Sequence, residues 1–244
     1  MRIAVLSDIH GNYWALTKVL KDIERRKPDI IINLGDNLYG PLKPKQTYEM
    51  LKSYDILSIS GNQDRNIVEN HASEDVHYTL KYVVSDINDE ILSWLGALPK
   101  TKTVESDVFI CHGTPAYDTT YMLEALKDGF KTVNDDSVID GYLKDVAQRF
   151  VFCGHSHTHR VVQTPKHVVI NPGSIGLPAY DDEHPIYHKT ESFNPFTQYN
   201  IVEIHSSEFI IDQINLPYEH EKAAACASQN NRLDWAKWLM GGKV

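Results

Sequence analysis

The sequence predicts an α/β fold built on a parallel or mixed sheet. Two observations carry this. Short apolar runs alternate with longer segments whose apolar residues fall at helical spacing. Five short polar motifs each sit directly after one of those runs, as residues at the strand ends of an open α/β sheet would.

Ile3–Leu6 reads as a short buried strand, and Asn12–Arg26 as a helix. Trp14, Leu16, Val19, Leu20 and Ile23 give that helix one apolar stripe, and Asn12 suits its N-cap. Asp29–Leu34 and Asp55–Ile59 are further apolar runs, with Lys45–Lys52 as the helix between them. Asn88–Leu98 looks helical and Pro99 closes it, and Val108–Cys111 is another buried strand. Thr119–Leu126 and Ser137–Ala147 read as helices, and Phe150–Cys153 as a strand. Arg160–Thr164, Val168–Asn171, Gln198–His205 and Phe209–Leu216 then read as antiparallel strands. A helix from about residue 219 to 240 finishes the chain, with Trp235, Trp238 and Leu239 as its packing face. Residues 180–195, rich in Asp, His, Pro and Asn, read as an exposed loop or as a loop over the substrate site. No repeat or linker divides the 244 residues, so a single domain is expected.

Composition narrows the function. No run of about 18 apolar residues occurs, so no membrane span or membrane partner is expected. The N-terminal apolar stretch is too short for a signal peptide. Three widely spaced cysteines, Cys111, Cys153 and Cys226, argue against a disulfide framework and for a reducing, cytoplasmic setting. A formal charge of −9 leaves no basic surface for long nucleic acid. It still permits a small anionic substrate, because bound metals invert the local field.

The five motifs are Asp8-Ile9-His10, Gly35-Asp36-Asn37, Gly61-Asn62, His112-Gly113 and Gly154-His155-Ser156-His157. They supply two carboxylates, one amide and four imidazoles, enough for two metal ions. Aspartate with histidine suits manganese, iron, zinc, cobalt or nickel, whereas a magnesium site would not need four imidazoles. Asp36 is a candidate to bridge two ions. Asp8, Asp36 and a bridging hydroxide bring three negative charges against four positive, so the site favours a phosphate ester. Two such ions can generate a nucleophile from water and clamp the phosphoryl oxygens. The glycines beside the ligands fit tight turns that need relaxed backbone angles.

As an ordered set these residues resemble the calcineurin-like metallophosphoesterase superfamily. The blocks run Ser7-Asp8-Ile9-His10-Gly11-Asn12, Leu34-Gly35-Asp36-Asn37, Ser60-Gly61-Asn62-Gln63-Asp64, Cys111-His112-Gly113 and Cys153-Gly154-His155-Ser156-His157. Asn171–Pro178 is similar to a segment of the small bacterial and archaeal phosphodiesterase branch, which includes diadenosine polyphosphate hydrolases. The resemblance implies a four-layered α/β/β/α sandwich with two mixed sheets. It also implies that Asp8, His10, Asp36 and His157 hold one metal and that Asp36, Asn62, His112 and His155 hold the other, with manganese or iron favoured. Asp36, Asn62 and His112 would act in catalysis through the metal-bound hydroxide and the placing of phosphate. Asn12, Asn37 and Ser174 would touch phosphate or support the ligands, and Asp64 would support a ligand.

Many members carry a histidine directly after the Gly-Asn pair, and this chain has Gln63 there. Glutamine has no titrating proton for a leaving group. That points to phosphoanhydrides and to esters with acidic leaving groups, in a small phosphorylated substrate such as a nucleotide. A protein phosphatase or a non-catalytic scaffold of the same fold are the alternatives. Cys111 and Cys153 read as small buried strand residues. His71, His77, His159, His167, His184, His188, His205 and His220 share no spacing and read mostly as surface residues, with His159 and His184 the two expected to reach the site.

Overall fold

The computed structural model describes residues 1–127, 129–206 and 208–244. Arg2–Leu6 is the middle strand of a five-stranded mixed sheet in the order Phe209–Leu216, Thr197–Ile204, Arg2–Leu6, Ile30–Asn33, Ile56–Ser58. The last three run parallel, with Leu6 opposite Asn33 and Asn33 opposite Ser58. Their C-terminal ends therefore stop at one level, and the first three motifs emerge side by side. The other two strands are antiparallel and complete the sheet.

A second sheet has the order Thr101–Val104, Val108–Cys111, Phe150–Phe152, Val168–Pro172, His159–Gln163. Its three middle strands are parallel, with Ile110, Phe152 and Ile170 in register. They deliver His112 and Gly154 to the same edge. Alternation along each strand then makes the layers. Ile3, Val5 and Ile32 face Val108, Ile110, Phe152 and Ile170 across the space between the sheets. Ala4 and Leu6 face outward onto Leu16, Val19, Leu20 and Ile23 of the helix Tyr13–Arg26. Cys111, Val151 and Val169 face outward onto Ile139 and Leu143 beside the helix Asp136–Tyr142. The result is the four-layered α/β/β/α sandwich. Among the described residues no helix is long and apolar enough to cross a membrane.

Asn12 caps the first helix by accepting from the Ala15 N–H at 3.1 Å, an interaction worth about 1 kcal/mol. Four expectations need correction. Thr119–Leu126 is not a helix, because Glu124–Lys127 forms a hairpin with Phe130–Val133, in which Gly129 takes φ 79°. Pairing there overrides the helix propensity of Leu, Glu and Ala. The expected C-terminal helix is two helices, His220–Gln229 and Leu233–Gly241. Asn231 enters the left-handed region at φ 55° and breaks them apart, a conformation asparagine tolerates. The 180–195 stretch carries a second hairpin, Ala179–Asp182 with His188–Glu191. The helix expected over Ser137–Ala147 is shorter, Asp136–Tyr142. Two helices not foreseen, Asn62–Asn70 and Tyr78–Asp86, pack through Ile67, Leu80 and Val83 onto Leu38 and Tyr48.

Candidate metal centre

The two sets of strand ends meet at one crevice, and the backbone there is strained. Asp8, His10, Asp36, His155 and His157 have φ of 54°, 52°, 55°, 67° and 51°. They are five of the nine non-glycine residues with positive φ among the described residues. Each such residue costs about 1 kcal/mol or more, so a cluster of them marks a place where geometry is imposed. What imposes it is a lacing of two loops. Asp8 N–H donates to Gly35 O at 3.0 Å, His10 N–H to Asp36 O at 2.9 Å, and Gly11 N–H to Asn37 O at 3.0 Å.

The glycines act differently from expectation. Gly35, at φ 103°, does supply a left-handed turn. Gly61 and Gly154 lie outside the left-handed region and are required for space. A Cβ on Gly61 would lie 2.2 Å from Asp36 Oδ1, and one on Gly154 would lie 2.0 Å from Ser7 Oγ.

Three imidazoles are held in one tautomer. The Nδ1 atoms of His10, His112 and His157 lie 2.9, 2.9 and 2.8 Å from the carbonyl oxygens of Tyr39, Leu34 and Leu177. A carbonyl only accepts, so each Nδ1 carries a proton, and a ring in its neutral form turns a lone pair inward on Nε2. Yet His10 Nε2 and His157 Nε2 are 3.1 Å apart, and His112 Nε2 is 3.0 Å from Asn62 Oδ1. Acceptors face acceptors, an arrangement that is repulsive until a cation sits among them. The carboxylates complete it. Asp8 Oδ1 is buried without a hydrogen-bond partner and lies 3.3 Å from His157 Nε2. It is also 3.9 Å from both His10 Nε2 and His112 Nε2. Asp36 Oδ2 lies between the groups, 3.5 Å from His112 Nε2 and 3.8 Å from His10 Nε2.

Two ligand clusters result, Asp8–His10–His157 and Asp8–Asp36–His112. Asp8 is common to both, and Asp36 Oδ2 also lies within 4 Å of a ring nitrogen from each, as the bridging role implied by the resemblance requires. Asn62 stands beside the second cluster, and His155 flanks it with its ring 5.2 Å from that of His112. Charges show the same demand for a cation. Burial opposes an imidazolium at His112, but Asp36 and Asp8 outweigh it and push His112 up to about 10. Burial works against the Asp8 carboxylate too, but His157, His112 and His10 hold it well below the usual range. Burial lowers His10, and it lowers His155 to about 4. Without metal, the cluster thus draws a proton into the place of positive charge. The donor set fits two borderline divalent ions.

The supporting residues sort by what they touch. Asp64 is buried and accepts four N–H groups, from Asp36 N, Asn37 N, Asn37 Nδ2 and Gly61 N, at 2.7–2.9 Å. Burial and the Asp36 charge push it up to about 7 against those bonds. Asp64 therefore fixes the second and third motifs to one another. Asn12, Asn37 and Ser174 are buried and are not among the residues that line the cavity over the ligands. Asn12 donates to Gly176 O and Tyr218 Oη, and Ser174 Oγ donates to Asp8 O. Gln63 does line the cavity, and its N–H donates to Asp36 Oδ1 at 2.8 Å. Cys111 and Cys153 are buried, and burial pushes both thiols up, which leaves no thiolate at the site. His159 is occupied with Asn200 and does not reach the cavity, because it lies on the edge strand. His184 reaches only an adjoining cavity.

The cavity over the ligands has a volume of about 430 Å³, and Tyr121, Tyr180, Arg232 and Trp235 are among its walls. None of these four belongs to a motif. The Tyr121 ring lies 4.9 Å from that of His155, and Tyr180 lies 4.7 Å from His157. Because His188 Nδ1 donates to Ile186 O, its Nε2 accepts from Tyr121 Oη at 2.8 Å. Tyr180 Oη then donates to Tyr121 Oη at 2.6 Å. Clustered tyrosines beside the irregular 180–195 stretch were the only available signal for this wall.

Comparison with known proteins agrees with this geometry. Residues 1–192 match the model of the calcineurin-like phosphoesterase superfamily domain. The uncharacterised protein MJ0912 of Methanocaldococcus jannaschii is 28% identical over 203 residues, 72% of this chain and 76% of that protein. A metallophosphoesterase from Sphaerobacter thermophilus superposes with a TM-score of 0.71 at 20% identity, covering 97% of this chain and 100% of that one. The hypothetical protein PH1004 from Pyrococcus horikoshii gives 0.75 at 20% identity over 99% and 98%. A protein named as a candidate diadenosine tetraphosphatase gives 0.54 at 17% identity over 87% and 93%. On its motifs, its fold and the match across most of its length, the chain belongs to the calcineurin-like phosphoesterase superfamily.

Proposed function

We propose that this chain is a two-metal phosphoesterase that hydrolyses phosphodiester or phosphoanhydride bonds of a small substrate, a nucleotide foremost, with diadenosine polyphosphates as the narrower candidate. The observation that carries this is the inward convergence of Nε2 lone pairs and carboxylate oxygens on an otherwise repulsive centre. Asp8, His10, Asp36, Asn62, His112, His155 and His157 would hold the ions. When bound, divalent ions there make water nucleophilic at neutral pH and stabilise charge developing on phosphoryl oxygens.

The chain's own residues set the rest. His10, His112 and His157 have Nδ1 committed to carbonyls and Nε2 committed inward, so they serve as ligands and not as general bases. Gln63 stands in the cavity without a titratable proton. The Tyr121 proton is committed to His188. Leaving groups must therefore carry off their own charge, which favours anhydrides and esters of acidic alcohols over alkyl monoesters. The Tyr121 and Tyr180 rings shield His155 and His157 from bulk water, which strengthens every electrostatic interaction beneath them. The test is hydrolysis of bis-p-nitrophenyl phosphate with added manganese, nickel, cobalt or iron. Turnover with at least one ion is expected, and none with any of the four would sink the proposal.

A further inference from the structure

A second cavity of about 640 Å³ opens from the metal centre on the side away from Trp235. The two cavities share Asn62, Tyr121, His155 and Asp182, so the centre lies where two lobes meet. Each lobe falls in the size range of a small-molecule site. A terminal phosphate needs only the junction. Two lobes suit a phosphorus that carries two substituents, one pointing into each.

The walls of the second lobe limit what enters it. The hairpin from Glu124 gives Ala125 and Leu126, the adjacent loop gives Thr119, and the other hairpin gives His184 and Pro185. No lysine or arginine is among the described residues that line it. Its acids are Asp182 and Glu124, and Glu124 is already paired with Arg160 at 3.1 Å. Lys131 lies close by, but its ammonium is taken by Ser156 O, Thr158 Oγ1 and Thr190 Oγ1 at 3.0, 2.7 and 2.7 Å. A phosphate chain entering this lobe would meet carboxylates and, among the described residues that line it, no lysine or arginine, whereas phosphate recognition rests on available cationic or N–H donors.

Resting on the phosphoesterase reading, we infer that the second lobe is a binding subsite for an uncharged, nucleoside-sized organic substituent carried directly on the scissile phosphorus. The substrate class is then a diester with a neutral arm, and a polyphosphate arm does not enter this lobe.

The test uses equilibrium binding to the metal-free full-length protein, measured by calorimetry and saturation-transfer NMR, with adenosine and ADP as probes. Binding without metal does not depend on hydrolysis, so its outcome is separate from that of the diester assay. Adenosine should bind, with ADP no tighter. Ala125→Trp, which fills the lobe, and Thr119→Trp, at its exposed rim, should each weaken adenosine by about tenfold or more, roughly 1.4 kcal/mol. The second variant guards against misfolding of the first, and thermal melting checks both. ADP binding about tenfold tighter than adenosine, with that advantage lost in either variant, would overturn the inference, as would adenosine binding that both folded variants leave unchanged.

Discussion

Gly154→Ala probes how tightly the ligand loops are fitted. The new Cβ would lie 2.0 Å from Ser7 Oγ and 2.9 Å from Asp8 Oδ2. Ser7 Oγ donates to Asp8 Oδ2 at 2.6 Å, and Asp8 belongs to both candidate ligand clusters. Overpacking costs about 1–3 kcal/mol, and displacing the hydroxyl forfeits a charge-assisted hydrogen bond of about 1.5–3 kcal/mol. Gly154→Ala should therefore destabilise the protein by roughly 2.5–6 kcal/mol, and Ser7→Ala alone by roughly 1.5–3 kcal/mol. The double variant loses that hydrogen bond once and relieves the worst contact, leaving Asp8 Oδ2 at 2.9 Å and Ser7 Cβ at 3.2 Å. It should be no less stable than Gly154→Ala, a strong departure from additivity. Urea unfolding of the four proteins in chelator measures the cycle. A double variant whose loss equals the sum of the single losses would refute the reasoning. So would a Gly154→Ala protein as stable as the parent.

Other expectations follow from the same geometry. Manganese at about 100 times its Kd should stabilise the folded protein by about 2.7 kcal/mol, or roughly 5–10 °C in Tm for a chain this long; a Tm indifferent to every divalent ion would count against the metal clusters. Asp36→Asn should abolish diesterase activity yet shift stability little, because asparagine tolerates the φ of 55° and can still accept from Gln63 N–H; a gross loss of stability in chelator would contradict this. Gln63→His should raise turnover of diesters with poor leaving groups by about tenfold or more while changing activated esters less, and equal effects on both would argue against a leaving-group role. Asp22 is held below its ordinary value: burial raises it, but Arg26 and Tyr199 outweigh that. Its contribution to stability is thus full above the unfolded-state value near pH 4 and is lost as pH falls through the lower folded-state value. Asp22→Asn should flatten the acid limb of a stability–pH curve, and an unchanged limb would contradict the assignment.

The strands before each motif were legible because Ile3–Leu6, Val108–Cys111 and Phe150–Phe152 are buried apolar runs too short to be helices. Asn62–Asn70 was not, because its residues are nearly all polar and only Ile67 and Asp64 are buried. Leu123–Lys127 reads as a helix former locally, and only its pairing with Phe130–Val133 makes it a strand. The ligand residues were visible as types in order, but their strain was not. Glycine draws attention to itself as the flexible residue, yet the left-handed angles fall on Asp8, His10, Asp36, His155 and His157. Nothing in residue type announces that a histidine will be held at positive φ by tertiary hydrogen bonds. Tyr121, Tyr180 and Trp235 were hidden for a related reason: a cavity wall needs no motif, only a side chain at the right place.

These two kinds of residue divide the work. Asp8, His10 and Asp36 sit on strained backbone laced loop to loop, and His10, His112 and His157 are pinned from behind through Nδ1. Five left-handed residues at about 1 kcal/mol each are a cost that only a site needing fixed atoms would retain. The candidate ligands all precede position 158. The walls also draw on the two hairpins and on the C-terminal helices, and only those helices lie beyond the family match at residue 192. Trp235 approaches His10 edge-on at 5.9 Å between ring centres and lies against Gly40, and its helix also rests on Leu42, Leu177 and Ala179. Changes in the cavity-facing side chains of the hairpins and C-terminal helices can reshape what reaches the site, because the bonds that lace residues 8–11 to residues 35–37 lie within the ligand loops themselves.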